Sequence, residues 1–207
     1  SGKGNNIMLD IKTIKRTIQS NLKKDYPAVI DDISVDVLPL GTIQKVLQNL
    51  LRELIPIKDL VQIIEALIDY SKVTKNIDVL TEYVRHSLNN TIANLYKDGN
   101  GIIHAAAISE KLEAFITASF QNQKDAVQTL GLNPVMLSEL KTKMQAIADK
   151  FDALGYKPIF ITSATIRPYF YRLINSSFQN ITVLSYTELP SQVEIEFIDN
   201  LEISNAN

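Results

Sequence analysis

The residues best suited to chemistry are few and scattered. Between Ile159 and Phe170 the chain reads IFITSATIRPYF, an apolar run that breaks into small hydroxyl residues and restarts with Arg167 and Pro168. Turns from strand to helix often hold phosphates, because the first amides of a helix have no partner within it. Thr165 stands where an N-cap would, Pro168 falls inside the first turn, and Arg167 adds a positive charge. Yet no glycine occurs between Gly155 and Asn207, so the backbone lacks the residue that lets a phosphate approach closely. The segment reads first as a structural joint, with an anion site as the alternative.

The two histidines, His86 and His104, belong to different segments, and neither has a second histidine at metal-ligand spacing. His104 sits in a short apolar run and reads as a hydrogen-bonded strand residue. No metal site and no catalytic triad is expected from them. The acidic pairs are Asp31 with Asp32 and Glu194 with Glu196; the second alternates with Val193, Ile195 and Phe197, as on the wet face of an antiparallel strand. With no cysteine in the chain, disulfides and thiolate chemistry are excluded.

Elements that position these residues follow from periodicity. Ile11, Ile14, Ile18 and Leu22 recur at helical spacing, predicting a helix from Asp10 to Leu22. DDISVDVLPL reads as a brief extended segment. GTIQKVLQNLLREL predicts a helix capped by Thr42, with a stripe of Ile43, Val46, Leu47, Leu50, Leu51 and Leu54. Pro56 breaks it, a second helix runs to Tyr70 through Leu60, Ile63, Ile64, Leu67 and Ile68, and a third spans Ile77 to Tyr96.

The chain changes character at KDGNG. GIIHAAAIS predicts a strand, Ser109 caps a helix to Phe120, and the polar QNQKDAVQTLG predicts a mobile surface segment. Asn133 and Pro134 open a long helix that stops at Gly155. The strand PIFITS, a helix, the strand ITVLS and the strand VEIEFI follow. The fold class is therefore α+β and helix-rich, a helical subdomain followed by a small α/β subdomain ordered strand, two helices, strand, helix, two strands.

Composition narrows the function classes. The 207 residues are 45% hydrophobic, enough for real cores. With 21 basic and 23 acidic residues the formal charge is -2, so no general positive field attracts nucleic acid or anionic lipid. The two helices from Leu40 to Tyr70 imitate a DNA-reading pair, but Lys58 faces Asp59, Glu65 and Asp69, the wrong signs for phosphate. A nucleic-acid module through Lys45, Arg52 and Lys58 is the weakest alternative, and a nucleotide-binding enzyme around Thr165 and Arg167 the other. No run approaches the ~20 apolar residues of a membrane span. SGKGNNIM reads as a disordered lead-in or an expression remnant.

LPLGTIQKVLQNLLREL, then PIKDLVQIIEALIDY and DVLTEYVRHSL, resemble the FlhA family, the export-gate component of type III secretion. In the second half IRPYFYRLINSSFQNITVLSYTELP resembles that family's arginine-proline helix and the strand after it, and LTEYVR points to the flagellar branch. The resemblance covers Val35 to Phe197. It implies that residues 10–40 are the tail of a first cytoplasmic subdomain, 41–96 a helical subdomain and 97–199 the C-terminal α/β subdomain; outside these, 1–9 read as a lead-in or remnant and 200–207 as a tail.

The resemblance implies a docking domain and no enzyme, with no cofactor and no nucleic acid. Its partners would be flagellar chaperone-substrate complexes, an ATPase complex and an FlhB-like gate protein. The full protein would form a homo-oligomeric ring at the cytoplasmic face of the bacterial inner membrane, reaching the membrane only through an N-terminal part absent here. Leu38, Leu40 and Gly41 would stand near the chaperone-docking dimple. Arg167 and Tyr169, an arginine and an aromatic beside a helix start, are expected to contact subunits or substrates.

Overall fold

The computed structural model describes residues 11–31, 33, 36–121 and 132–204. The segments SGKGNNIM and Asn122–Gly131 lie outside the described residues. The chain divides into two compact units, residues 1–88 and 89–207.

The first unit is helical. Its elements are α1 (Ile11–Asn21), α2 (Pro27–Asp31), α3 (Leu40–Arg52), α4 (Leu60–Ser71) and α5 (Ile77–Ser87). Helix α3 packs against α1 and α5, and α4 against α5. The predicted stripe of α3 is buried at Ile43, Val46, Leu47 and Leu50, each buried side chain contributing roughly 1.5–3 kcal/mol. Asn49 Nδ2 donates to Thr81 Oγ1 at 3.1 Å across α3 and α5. Tyr70 and Tyr83 stack with ring centres 3.9 Å apart across α4 and α5.

Three expectations are corrected in this unit. Helix α3 begins at Leu40 after Pro39, whose carbonyl accepts from the amides of Thr42 and Ile43, so Thr42 lies inside the first turn and caps nothing. Leu54 leaves the stripe: the chain turns left-handed there (φ 60) and exposes 72% of the residue, while Ile55 turns inward. The amides of Leu54 and Ile55 bond Leu51 O and Leu50 O, satisfying the last carbonyls of α3. Finally, of DDISVDVLPL the structure describes Asp31, the last residue of α2, Ile33, and a turn and bend over 36–38 that lead to α3, with no strand among these residues; Asp32, Ser34 and Val35 lie outside the described residues.

The expected helix from Ile77 to Tyr96 is two helices. Asn76 caps α5, its side chain accepting from the amides of Asp78 and Val79. At the far end the Ser87 hydroxyl bonds Val84 O and the Asn89 side chain takes the Asn90 amide. The helical ladder reaches Leu88, whose amide bonds Val84 O and Arg85 O, and around it short polar side chains take backbone partners of their own. The division between the units falls at this break.

The second unit comprises α6 (Asn89–Tyr96), β1 (Ile102–Ile108), α7 (Glu110–Gln121), α8 (Pro134–Leu154), β2 (Ile159–Thr162), α9 (Arg167–Asn175), β3 (Thr182–Ser185) and β4 (Glu194–Leu201). Three caps occur where the sequence places them, but the N-cap of α9 is Ile166 with no side-chain bond, which corrects the expectation of Thr165. Ser109 Oγ accepts from the amide of Leu112, Asn133 caps α8 through the amide of Met136, and Gly155 ends α8 in the left-handed region at φ 76.

The four strands form one sheet in the order β3-β2-β1-β4, with every neighbouring pair parallel. The antiparallel expectation for β4 is therefore corrected. Between β3 and β4 the chain does not reverse beside its neighbour; residues 186–193 carry it to the opposite edge, where β4 runs beside β1. A bulge between Ala105 and Ala106 leaves Ile198 as the extra residue on β4. Asn200 and Leu201, expected in a tail, complete β4, and Ile203 is buried. One core joins sheet residues such as Ala106, Phe160 and Val183 to Leu140, Met144 and Phe151 of α8 and Phe170 of α9.

Candidate functional site

In the first unit, α1, the residues around α2 and the start of α3 enclose a cavity of about 340 Å³. Ile18, Ile30, Ile33, Pro39 and Leu40 supply an apolar lining, with Lys15 and Gln19 at the rim. Leu38 forms its floor and is fully buried (0% exposed). That corrects its expected role: a buried leucine holds the wall in place and offers no surface to a partner. Leu40 and Gly41 are half-buried, and a side chain added at Gly41 would meet open space. Lys75 Nζ donates to Val37 O at 3.1 Å and ties the loop before α3 to the end of α4. An apolar recess with a cationic rim suits an apolar side chain flanked by acid.

In the second unit the joint after β2 is closed to anions from within. The Ser163 amide donates to Glu113 Oε1 of α7 at 2.6 Å, so a carboxylate of the chain takes the bond a phosphate would have sought. Burial pushes the Glu113 carboxyl above its ordinary value, opposed by the hydrogen bonds from Ser163. Nearby Tyr186 is also pushed up, by burial and then by the charges of Glu113 and Glu110.

Arg167 turns inward. It is 1% exposed, and its Nη1 donates to Val183 O of β3 at 3.0 Å. Glu188, fully buried in the turn after β3, accepts from the Ser185 amide at 2.9 Å. Two buried charges of opposite sign thus hold β3 at positions two residues apart, and such burial is tolerable only with hydrogen bonds and an opposing charge. The expectation that Arg167 meets a subunit or substrate is corrected on that ground. Tyr169 stays half-buried, its ring packed on the core and 5.8 Å from the guanidinium carbon of Arg172.

His104 is a hydrogen-bonded strand residue, as the sequence suggests. Its Nε2 lies 2.8 Å from Asp98 Oδ2 and its ring stacks 3.9 Å from Tyr156. The bond to His104, followed by the bond from the Ile102 amide, holds the Asp98 carboxyl below its ordinary value. Among the described residues no group of three or more His, Cys, Asp or Glu side chains is arranged to hold a metal ion.

Sequence reasoning missed the apolar partners Ile18, Ile30 and Ile33. Ile18 belonged to a predicted stripe, but nothing in spacing alone says that this stripe leaves a recess beside the start of α3. No helix among the described residues is long and apolar enough to cross a membrane.

Known proteins match this arrangement. The flagellar biosynthesis protein FlhA of Treponema pallidum (strain Nichols) is 34% identical over 191 residues, which is 90% of this chain and 26% of that protein. This chain thus spans about a quarter of the length of that curated relative. The solved structure of the Chlamydia pneumoniae CdsV protein superposes with a TM-score of 0.80 at 25% identity, covering 93% of this chain and 54% of that one. Nonameric EPEC SctV-C shares the fold at a TM-score of 0.80 and 23% identity, over 93% of this chain and 57% of that one. The FHIPEP family matches residues 4–194, nearly the whole of what is described, and the chain belongs to that family.

Proposed function

We propose that this chain is a cytoplasmic docking part of a type III export gate of the flagellar branch. It receives export substrates and chaperone-substrate complexes and contributes to a homo-oligomeric ring. It does so by binding and handover, without covalent chemistry. Family membership supports the export role, and the relative from Treponema pallidum supports the flagellar branch. The observation that carries docking is the apolar recess beside Leu40, in the region where the family resemblance places the dimple.

The test is calorimetric titration of a filament-protein-chaperone complex into the full-length cytoplasmic region, native and with Leu40→Asp. A charge at a half-buried lining residue is expected to weaken docking by more than 2 kcal/mol, roughly thirtyfold, if a partner buries it. Unchanged affinity with an intact circular-dichroism spectrum would remove the recess from docking. Leu38→Asp is the wrong probe, because a charge at that buried position unfolds the wall itself.

A further inference from the structure

We propose that the open edge of β4, from Glu194 to Phe197, is a strand-addition site for an extended basic segment of a partner protein. This inference rests on the sheet and not on the export-gate reading.

Among the described residues, strand β4 ends the sheet and pairs only with β1. An edge strand presents unpaired amides and carbonyls, which a further strand can satisfy. The two halves of β4 differ. In the second half the chain covers its own edge: Lys150 Nζ donates to Ile198 O at 3.0 Å and lies 3.4 Å from Asp199 Oδ2, and the Asn200 amide donates to Asp199 Oδ1 at 2.7 Å. The bulge at Ile198 breaks the ladder at the same place. In the first half, among the described residues, no side chain bonds to the backbone of Glu194 to Phe197.

Side-chain alternation then specifies the partner. Glu194 and Glu196 point to one face and Ile195 and Phe197 to the other. Glu194 is exposed, Phe197 is 53% exposed and the Glu196 side chain 57%. His104 Nδ1 approaches Glu196 Oε2 only to 3.5 Å, leaving that carboxylate available. From Glu194 to Ile203 there is no lysine or arginine. An incoming strand that alternates basic and apolar residues would set cations opposite the glutamates and apolar side chains against Phe197, the favourable cross-strand arrangement. A second copy of β4 would instead oppose glutamate to glutamate, which disfavours self-pairing.

The test is fluorescence anisotropy of a labelled eight-residue peptide of alternating lysine and valine with the whole 207-residue chain. Saturable binding is expected. It should weaken about tenfold or more when the peptide's backbone amides are methylated, which removes donors and keeps every charge. Glu194→Lys with Glu196→Lys should weaken it comparably, and because Glu196 adjoins His104, Glu194→Lys alone serves as the variant that leaves that contact intact. The proposal is overturned if the methylated peptide binds as tightly, since charge alone would then explain adhesion. It is equally overturned if no binding occurs, or if sedimentation shows the chain pairing with itself through this edge.

Discussion

Each unit of this chain buries one arginine and ends one long helix with a left-handed turn, and the two units do so with different chemistry. In the helical unit Arg85 of α5 is 1% exposed and its Nη1 lies 3.6 Å from Glu53, the residue capping the end of α3. In the sheet unit Arg167 donates to a carbonyl of the edge strand β3. Helices consume their own carbonyls, so a cation buried among them finds acceptors at helix ends; an edge strand keeps carbonyls to spare. The helix ends show the same economy in reverse. Residues 151–156 close α8 around Gly155 (φ 76), and residues 50–55 close α3 around Leu54 (φ 60), through matching backbone bonds.

Breaking the buried cations tests this contrast most strongly. Arg167→Ala would empty a closed interior position and leave Val183 O without its donor, and should cost about 3–5 kcal/mol in chemical denaturation. Arg85→Ala should cost less, about 2 kcal/mol, because the Glu53 side chain is 11% exposed and can be rehydrated. Equal losses would refute the claim that edge-strand anchoring and helix-end pairing differ.

The helix ends come next. Gly155→Ala should destabilise by about 1 kcal/mol, since a Cβ opposes the left-handed region even where space is open. Leu54→Gly should stabilise by roughly the same amount, because the leucine is 72% exposed and little packing is lost. Opposite signs from the two substitutions, read by thermal denaturation, are the expected result.

The smallest effect is one of acidity. Glu139 of α8 accepts from the hydroxyl and amide of Ser204 and from Lys143, which lowers its carboxyl from 4.5 to about 2. A depressed carboxyl stabilises the fold above its unfolded value near 4.5 and loses that contribution as pH falls toward 2. The Ser204 amide resonance should follow that titration, and Glu139→Gln should flatten it.

Much of the fold is legible where local signals agree. The cap at Asn133, Pro134 behind it and Gly155 at the far end bound α8 by chemistry that acts within one turn. The first three strands are short apolar runs between turn residues. What escapes are choices made by distant partners. The direction of β4 depends on β1, some ninety residues earlier, and its alternation serves a parallel edge as well as an antiparallel one. Arg167 reads as a contact residue until β3 is seen to offer a carbonyl, and Leu38 as a residue near a docking dimple until its side chain is seen to be fully buried. Leu54 fits the helical stripe by spacing alone; only the backbone bonds that end α3 carry it out.

The parallel placement of β4 also governs the order in which the sheet can be completed. Strands β1, β2 and β3 can assemble while the chain is being made, but β1 keeps an open flank until Leu201 has emerged, because its second partner is synthesised last. During that interval the exposed flank belongs to IIHAAAI, a run of alanine and isoleucine around a single histidine, free to pair with another nascent chain. When β4 arrives it substitutes a flank bearing Glu194 and Glu196. A ribosome paused before Glu194 would therefore display an unguarded β1 flank, and a chain with β4 in place a flank whose glutamates oppose pairing with a second copy.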